Sequence, residues 1–471
     1  MTLDLLLVKP GSQKNLYQDL SKSITGIEPP IWAAMLAGHL QNKYSIQILD
    51  MEIDSNISNI IRIKSPRLIA IVVYGTNPSA STMNMIGVKS VLEEIKQFSI
   101  PTILIGLHPS ALPEKTLKEE SISMVCEGEG FYTLEDLLSN KNLEDIRGLW
   151  YKIDGQIYHN DRAPLIDLSL LEMPAWNLID LKRYRAHNWH TNFLNIEDRS
   201  PYGVIYTSLG CPFNCSFCNI NTIFGKHQIR YRSIDKVMDE LDYIIKTYGI
   251  KHLRILDEMF GLDEDYLIKF CDSIIERKYN LNIWAYTRID TINRNKLRKM
   301  KQAGINWLCP GFESGNEKIR KISNKGKFTN EMMKSVRIMM EEEGINVQGN
   351  FMFGLPEDTI ETMQDTLNLA EELNCEMVNF YCTMAYPGSK LYNDNIVNNN
   401  WECYSQLGYE SIPLSTKYLT SSKILKFRDD AFTHYFSRND YQTMIQQKFG
   451  DNAIQNIRAM LNIKLKRKIY G

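Results

Sequence analysis

Residues 202–218 read YGVIYTSLGCPFNCSFC: an apolar run, a glycine, then three cysteines within eight residues. The run has the length and composition of a buried strand. Pro212 and Asn214 favour an irregular loop over a helix, so the sulfurs of Cys211, Cys215 and Cys218 can converge from a curl of backbone at the end of that strand. Thiolates select soft metals, zinc or an iron–sulfur cluster. A structural zinc ion takes four protein ligands, yet Cys126, Cys271, Cys309, Cys375, Cys382 and Cys403 form no second close pair, and the nearest downstream histidine is His227. Three thiolates on a four-iron cluster leave one iron open to a substrate or cofactor. Zinc and unliganded core cysteines stand as the rival readings.

Working outward, the strand at 202–210 opens a β/α alternation. It continues through HLRILDEMF (252–260), LNIWAYTRID (281–290), INWLCPGFESG (305–315), NVQGNFMFGLP (346–356) and EMVNFYCTMAYPG (376–388). Amphipathic segments such as SIDKVMDELDYIIKTYG (233–249) separate them. Six units of roughly 30–40 residues predict a barrel, possibly incomplete, with its chemistry at the carboxyl ends of the strands.

Upstream, residues 1–145 carry a second alternation. LDLLLVKP (3–10), SIQILDM (45–51), LIAIVVYG (68–75), PTILIGLHP (101–109) and ISMVCEGEG (122–130) are apolar throughout, with helical patterns between them. Strands of that kind predict a parallel sheet covered on both faces, here a doubly wound, flavodoxin-like domain. Its ligand crevice would be lined by the loops near Pro10, Gly75, Thr76 and Asn77, and Gly106, Leu107 and His108. Residues 146–200 read as a linker with a hairpin about Asp154-Gly155, 201–395 as the barrel, and 396–471 as a helical region. The aromatic-rich stretch at 400–410 is expected over the barrel mouth, and the basic KLKRK (464–468) as a solvated helix end.

A net charge of −2 with 23% charged and 44% hydrophobic residues marks an ordinary soluble protein, and gives no reason to expect nucleic acid or an anionic membrane as main partner. The start lacks signal-peptide features and the longest apolar run, 68–74, is too short to span a bilayer, so a cytoplasmic location is expected. Nine cysteines, an odd number, argue for free thiols and metal ligation over a disulfide framework.

CPFNCSFC (211–218) resembles the Cys-x3-Cys-x2-Cys loop of the radical S-adenosylmethionine (radical SAM) superfamily, including an aromatic, Phe217, before the last cysteine. LDEMFGLD (256–263), GFESGNEKIRK (311–321), GNFMFGLPEDT (349–359) and AYPGSKLY (385–392) resemble later strand segments of the same family, in order. The resemblance implies that Cys211, Cys215 and Cys218 hold a [4Fe-4S] cluster whose open iron binds SAM. It further implies reductive cleavage to methionine and a hydrogen-abstracting 5′-deoxyadenosyl radical, with electrons from an external donor such as flavodoxin or ferredoxin.

Within that frame Phe217 offers a face for adenine, competing with packing at the barrel mouth. Glu313 with Ser314 would meet the ammonium or ribose of SAM, against a structural carboxylate, and Arg288 its carboxylate, against an outward ion pair. Gly349 and Gly354 would let backbone approach the ligand, against tight strand packing. Asp257 and Glu258 are adjacent, so one is expected to face inward, and Asp257, Tyr286 and Tyr386 are the candidates for substrate or proton chemistry.

The first domain, with "LLLVKPG", "GIEPPIWAAMLAGHLQ", "IGLHPSALPEKTL" and "VCEGEG", resembles the cobalamin-binding domain of the B12-dependent radical SAM class. The expected fold is therefore α/β: an N-terminal flavodoxin-like (Rossmann-type) cobalamin-binding domain, a partial (β/α)6 TIM-type barrel and a small helical C-terminal region. The Asp-x-His-x-x-Gly signature that supplies a histidine to cobalt is absent, and a structural role suits His39 and His108 better. The reading that follows is methylation of an unactivated carbon of a small biosynthetic intermediate. Its rivals are a B12-binding oxidative cyclase or rearranging enzyme and a non-catalytic iron–sulfur protein.

Overall fold

The structure is a computed structural model that describes residues 3–74, 78–326, 328–395 and 400–470. The first five apolar runs form Leu5–Lys9 (β1), Ile46–Asp50 (β2), Leu68–Val73 (β3), Thr102–Gly106 (β4) and Met124–Cys126 (β5). They pair in parallel in the order β2-β1-β3-β4-β5, the doubly wound arrangement the sequence predicts. The continuous apolarity of β3 has a physical cause. Leu68, Ala70 and Val72 enter one hydrophobic core, while Ile69, Ile71 and Val73 enter a second on the opposite face.

The hairpin expected in the linker belongs to this sheet. Leu149–Ile153 (β6) pairs antiparallel with β5, and Gln156–His159 (β7) with β6, about a turn in which Asp154 and Gly155 have φ of 48° and 81°. The sheet thus extends to His159, beyond the boundary at 145 suggested by the change of pattern.

The second sheet contains Tyr202–Ile205 (β8), His252–Ile255 (β11), Asn282–Thr287 (β12), Ile305–Glu313 (β13), Asn346–Phe353 (β14) and Met377–Cys382 (β15). All neighbours are parallel in the order β15-β14-β13-β12-β11-β8, and Ser208–Leu209 (β9) pairs with Arg230–Tyr231 (β10) as a small ribbon beside the cysteine loop. Six strands leave the barrel open at one side. Residues from Leu16–Thr25 of the first domain, His187–Trp189 of the connector and Ile463–Leu465 of the C-terminal tail line the cavity there.

The C-terminal helices run Ser421–Ser437, Asn439–Phe449 and Asp451–Asn462. The basic tail departs from its reading as a solvated helix end. It leaves the last helix as a strap, with Arg467 buried and donating to Asp429 at 2.9 and 3.0 Å and to the carbonyls of Gln406 and Gly408 at 3.1 and 3.0 Å. Those acceptors are distant in sequence, so no local pattern reports them. Trp401 and Tyr404 of the aromatic-rich stretch pack in the core of the first domain with Met85 and Val88, whereas Gln406 and Leu407 reach the cavity. Among the described residues no helix is long and apolar enough to cross a membrane.

Candidate active site

Cys211, Cys215 and Cys218 follow β8 and open onto one cavity of about 660 Å³. Their loop is held from several elements. The Cys218 amide donates to the Cys215 carbonyl at 3.1 Å, the Ser216 amide to Ser323 at 3.0 Å, and the Leu391 amide back to Ser216 at 3.0 Å. The Asn219 side chain donates to the Pro387 carbonyl at 2.7 Å, so the 385–392 segment serves as a clamp on the cysteine loop. Burial, then the neighbouring thiol of Cys215, pushes Cys218 up to about 12, and burial pushes Cys211 up to about 11. These sulfurs are protonated until a cation draws them into thiolates. All three thiols share this cavity, a donor set of the kind that iron–sulfur clusters take.

Across from the sulfurs, the Lys325 ammonium meets Glu313 Oε1 at 2.7 Å, both groups nearly buried. Burial, the largest influence, would lower the lysine pKa, but Glu313 and Cys215 together outweigh it and the pKa rises, so the ammonium stays charged. Glu313 sits at φ 62°, a strained conformation for a residue with a Cβ, and Gly311 leaves the space it needs. A Cβ on Gly311 would lie 2.2 Å from Glu313 Oε1 and 2.6 Å from Lys325 Nζ.

Arg288 is 6% exposed, pairs with Asp290 at 2.8 and 2.9 Å, and donates to the Lys325 carbonyl at 2.6 Å. Its guanidinium lies 3.8 Å from the Phe213 ring centroid and Nη1 reaches Cys215 Sγ at 3.8 Å. It lines the cavity and makes the ion pair with Asp290 as well, so both expectations for it are met in part. Phe217 also lines the cavity and packs against the cluster of Ile319, Met352 and Leu355.

Asp257 and Glu258 both face the cavity, against the expectation that only one would. Strand β11 ends at Ile255, so the alternation of side chains no longer applies to them. Asp257 is committed to the loop: Oδ1 accepts from the Thr207 amide at 2.7 Å, and Oδ2 from the hydroxyls of Thr207 and Ser208 at 2.5 and 2.6 Å. It positions the backbone that leads into Cys211 and is not free for substrate. Glu258 accepts from the Gly210 amide at 2.9 Å, and burial pushes its carboxyl up to about 8. Tyr286 and Tyr386 line the cavity, and the Tyr386 hydroxyl donates to the Tyr404 carbonyl at 3.3 Å.

Several expected ligand residues lie elsewhere. Ser314 is buried against Thr366, 3.2 Å between hydroxyl oxygens, away from the cavity. A Cβ on Gly349 would enter the Phe312–Phe351 stack, and one on Gly354 would strike Ile424, so these glycines serve packing. Gly106 abuts the Val73 carbonyl, Leu107 is in the core, and His108 is fully buried, with Nδ1 3.0 Å from Thr82 Oγ1 and its ring edge-on to Trp401. None of the three reaches the cavity, because the segment at 400–405 covers that end of the sheet; Gly75, Thr76 and Asn77 lie outside the described residues.

What the first domain does present to the cysteines is Leu16, Tyr17, Leu20, Ile24, Thr25 and Met83. Sequence reading missed these. Leu16, Tyr17 and Leu20 belong to short helices before the second strand and Ile24 and Thr25 follow them, where an apolar side chain reads as core. This largely apolar wall opposite three thiols fits a broad flat cofactor held beside a cluster.

A model of the radical SAM superfamily matches residues 205–370, and one of the B12 binding domain matches 17–138. The chain thus carries a radical SAM domain and a B12-binding domain. This radical SAM protein is 27% identical to an uncharacterized methyltransferase of Pyrococcus horikoshii over 93% of both chains. It is 24% identical to the anaerobic magnesium-protoporphyrin IX monomethyl ester cyclase of Rubrivivax gelatinosus, over 80% of this chain and 68% of that one. Its fold resembles that of the radical SAM methyltransferase TsrM from Kitasatospora setae, with a TM-score of 0.65 at 18% identity over 83% of this chain and 74% of the other. OxsB, solved with aqua-cobalamin and SAM, is similar at a TM-score of 0.64 and 18% identity over 91% and 61% of the chains.

Proposed function

We propose that the protein is a cobalamin-dependent radical SAM methyltransferase that places a methyl group on an unactivated carbon of a small molecule. The observation that carries this reading is the single cavity shared by Cys211, Cys215 and Cys218 on one side and the apolar wall of the B12-binding domain on the other. Bound there, a [4Fe-4S] cluster with SAM supplies a hydrogen-abstracting radical, and methylcobalamin a transferable methyl group.

The chain's own residues divide the work. Cys211, Cys215 and Cys218 would hold three irons. The Glu313 carboxylate, fixed by Lys325, would accept from the ammonium of SAM, and Arg288 would face its carboxylate. Phe217 would shield the adenine. Leu16, Tyr17, Leu20 and Met83 would bear on the corrin and keep water from the reacting carbon. Flavodoxin or ferredoxin would be the electron donor.

Anaerobic reconstitution followed by incubation with reductant and SAM tests the reading. Expected are a cluster absorbance lost in a Cys211→Ala/Cys215→Ala/Cys218→Ala variant, and 5′-deoxyadenosine with S-adenosylhomocysteine among the products. Retained absorbance in that variant would refute the cysteine assignment. The similarity to cyclases supports a second reading without methyl transfer. Deoxyadenosine without S-adenosylhomocysteine, and no gain of a methylene unit in the product, would favour it.

A further inference from the structure

The inner faces of β14 and β15 carry an amide network that none of the roles above uses. Side chains two apart in a strand share a face, so Gln348 with Asn350, and Asn379 with Tyr381, project to the same side, and all four line the cavity. The polarity of the network follows from its fixed end. Asn350 Nδ2 lies 3.3 Å from the Pro310 carbonyl and 3.4 Å from the Gln348 carbonyl, acceptors that cannot be reversed, so Nδ2 is the donor end and Oδ1 the acceptor.

That oxygen is approached by Gln348 Nε2 at 3.2 Å and by Asn379 Nδ2 at 3.4 Å, and Asn379 Nδ2 also donates to the Tyr381 hydroxyl oxygen at 2.8 Å. Both amides are thereby oriented with nitrogen inward to the network. The network uses only their nitrogens, which leaves the carbonyl oxygens, Gln348 Oε1 and Asn379 Oδ1, outside it on two residues that line the cavity.

We infer that Gln348 and Asn379 form a specificity site that reads an N–H-bearing group of the substrate, such as an amide, amine or ring nitrogen. The inference rests on the cavity being the active site. Neutral carbonyls that accept from a ligand reward donors and reject isosteres that lack them, a discrimination far steeper than an apolar pocket achieves.

Benzamide and acetophenone, which differ by NH2 against CH3, serve as probes in equilibrium dialysis with the cluster-loaded, SAM-saturated protein. Benzamide is expected to bind at least tenfold more tightly than acetophenone. Gln348→Met and Asn379→Leu, each checked for an unchanged melting temperature, are expected to reduce the preference to within threefold. Equal binding of the two probes, no benzamide binding, or an undiminished preference in both variants overturns the inference. Benzamide binding seen only when SAM is left out also overturns it, because the acceptors would then serve the cofactor's own amine. SAM cleavage measured on the same preparation reports separately on the proposed function.

Discussion

Arg254 of the barrel donates through Nη1 to both carboxylate oxygens of Glu28 in the first domain, at 2.5 and 2.7 Å, with both residues buried. The guanidinium also lies 4.3 Å from the Trp284 ring centroid, so this contact between the two domains is an ion pair seated on an aromatic face. Removing one partner leaves an uncompensated buried charge. Glu28→Gln should therefore destabilise the protein by about 3–5 kcal/mol, while Glu28→Leu with Arg254→Met recovers most of the loss. Urea unfolding of the single and double variants measures this, and additive effects would show that the pair is not coupled.

Gly311 leaves room for the Glu313–Lys325 pair. The Cβ of Gly311→Ala would lie 2.2 Å from Glu313 Oε1 and 2.6 Å from Lys325 Nζ, so both side-chain ends must shift. SAM affinity, read by equilibrium dialysis, should fall at least tenfold while iron content per chain is unchanged. Unaltered affinity would detach the pair from SAM binding.

Asp257 acts on the cysteine loop through Thr207 and Ser208. Asp257→Ala leaves three donors without their acceptor, at a cost of roughly 3 kcal/mol. The expected result is a lower melting temperature together with iron content below half the wild-type value. A variant with full iron and an unchanged melting temperature would contradict the positioning role.

The buried histidines should weaken the fold as pH falls from 7 to 5. Burial lowers His108 and His187 to about 3 and His252 to about 4, so these rings stay neutral when folded but take a proton near pH 6.5 when unfolded. Between those values the unfolded chain binds more protons, and stability falls as pH falls. Each ring costs about 2 kcal/mol by pH 5. Urea midpoints at pH 7 and pH 5 test this, with His108→Gln expected to flatten the dependence, and identical midpoints in the wild type would rule it out.

Much of the architecture was legible because it is written in short-range pattern. Strands buried on both faces must be apolar throughout, as β3 is, and a doubly wound sheet and a six-stranded barrel follow from repeating them with helices between. The cysteine loop was legible for a similar reason, since three ligands in eight residues need no long-range contact to be brought near one another. Arg288, Glu313 and Phe217 also reach the cavity, being close to strand ends where a barrel builds its site.

The misreadings share a cause as well. Ser314, Gly349 and Gly354 lie in the right segments, but which way each residue faces depends on partners such as Thr366, Phe312 and Ile424. His108 was placed at a ligand crevice that a segment nearly three hundred residues later occupies with Trp401.

By itself the sequence determined the two α/β units, their order and the three clustered thiols, because each is a property of neighbouring residues. Only the tertiary structure decided what stands opposite the cysteines. The apolar wall from Leu16 to Met83, the strap anchored by Arg467 and the orientation of Gln348 and Asn379 arise where distant segments meet, and burial and hydrogen-bond satisfaction there are set by the partner, not by the neighbour in the chain.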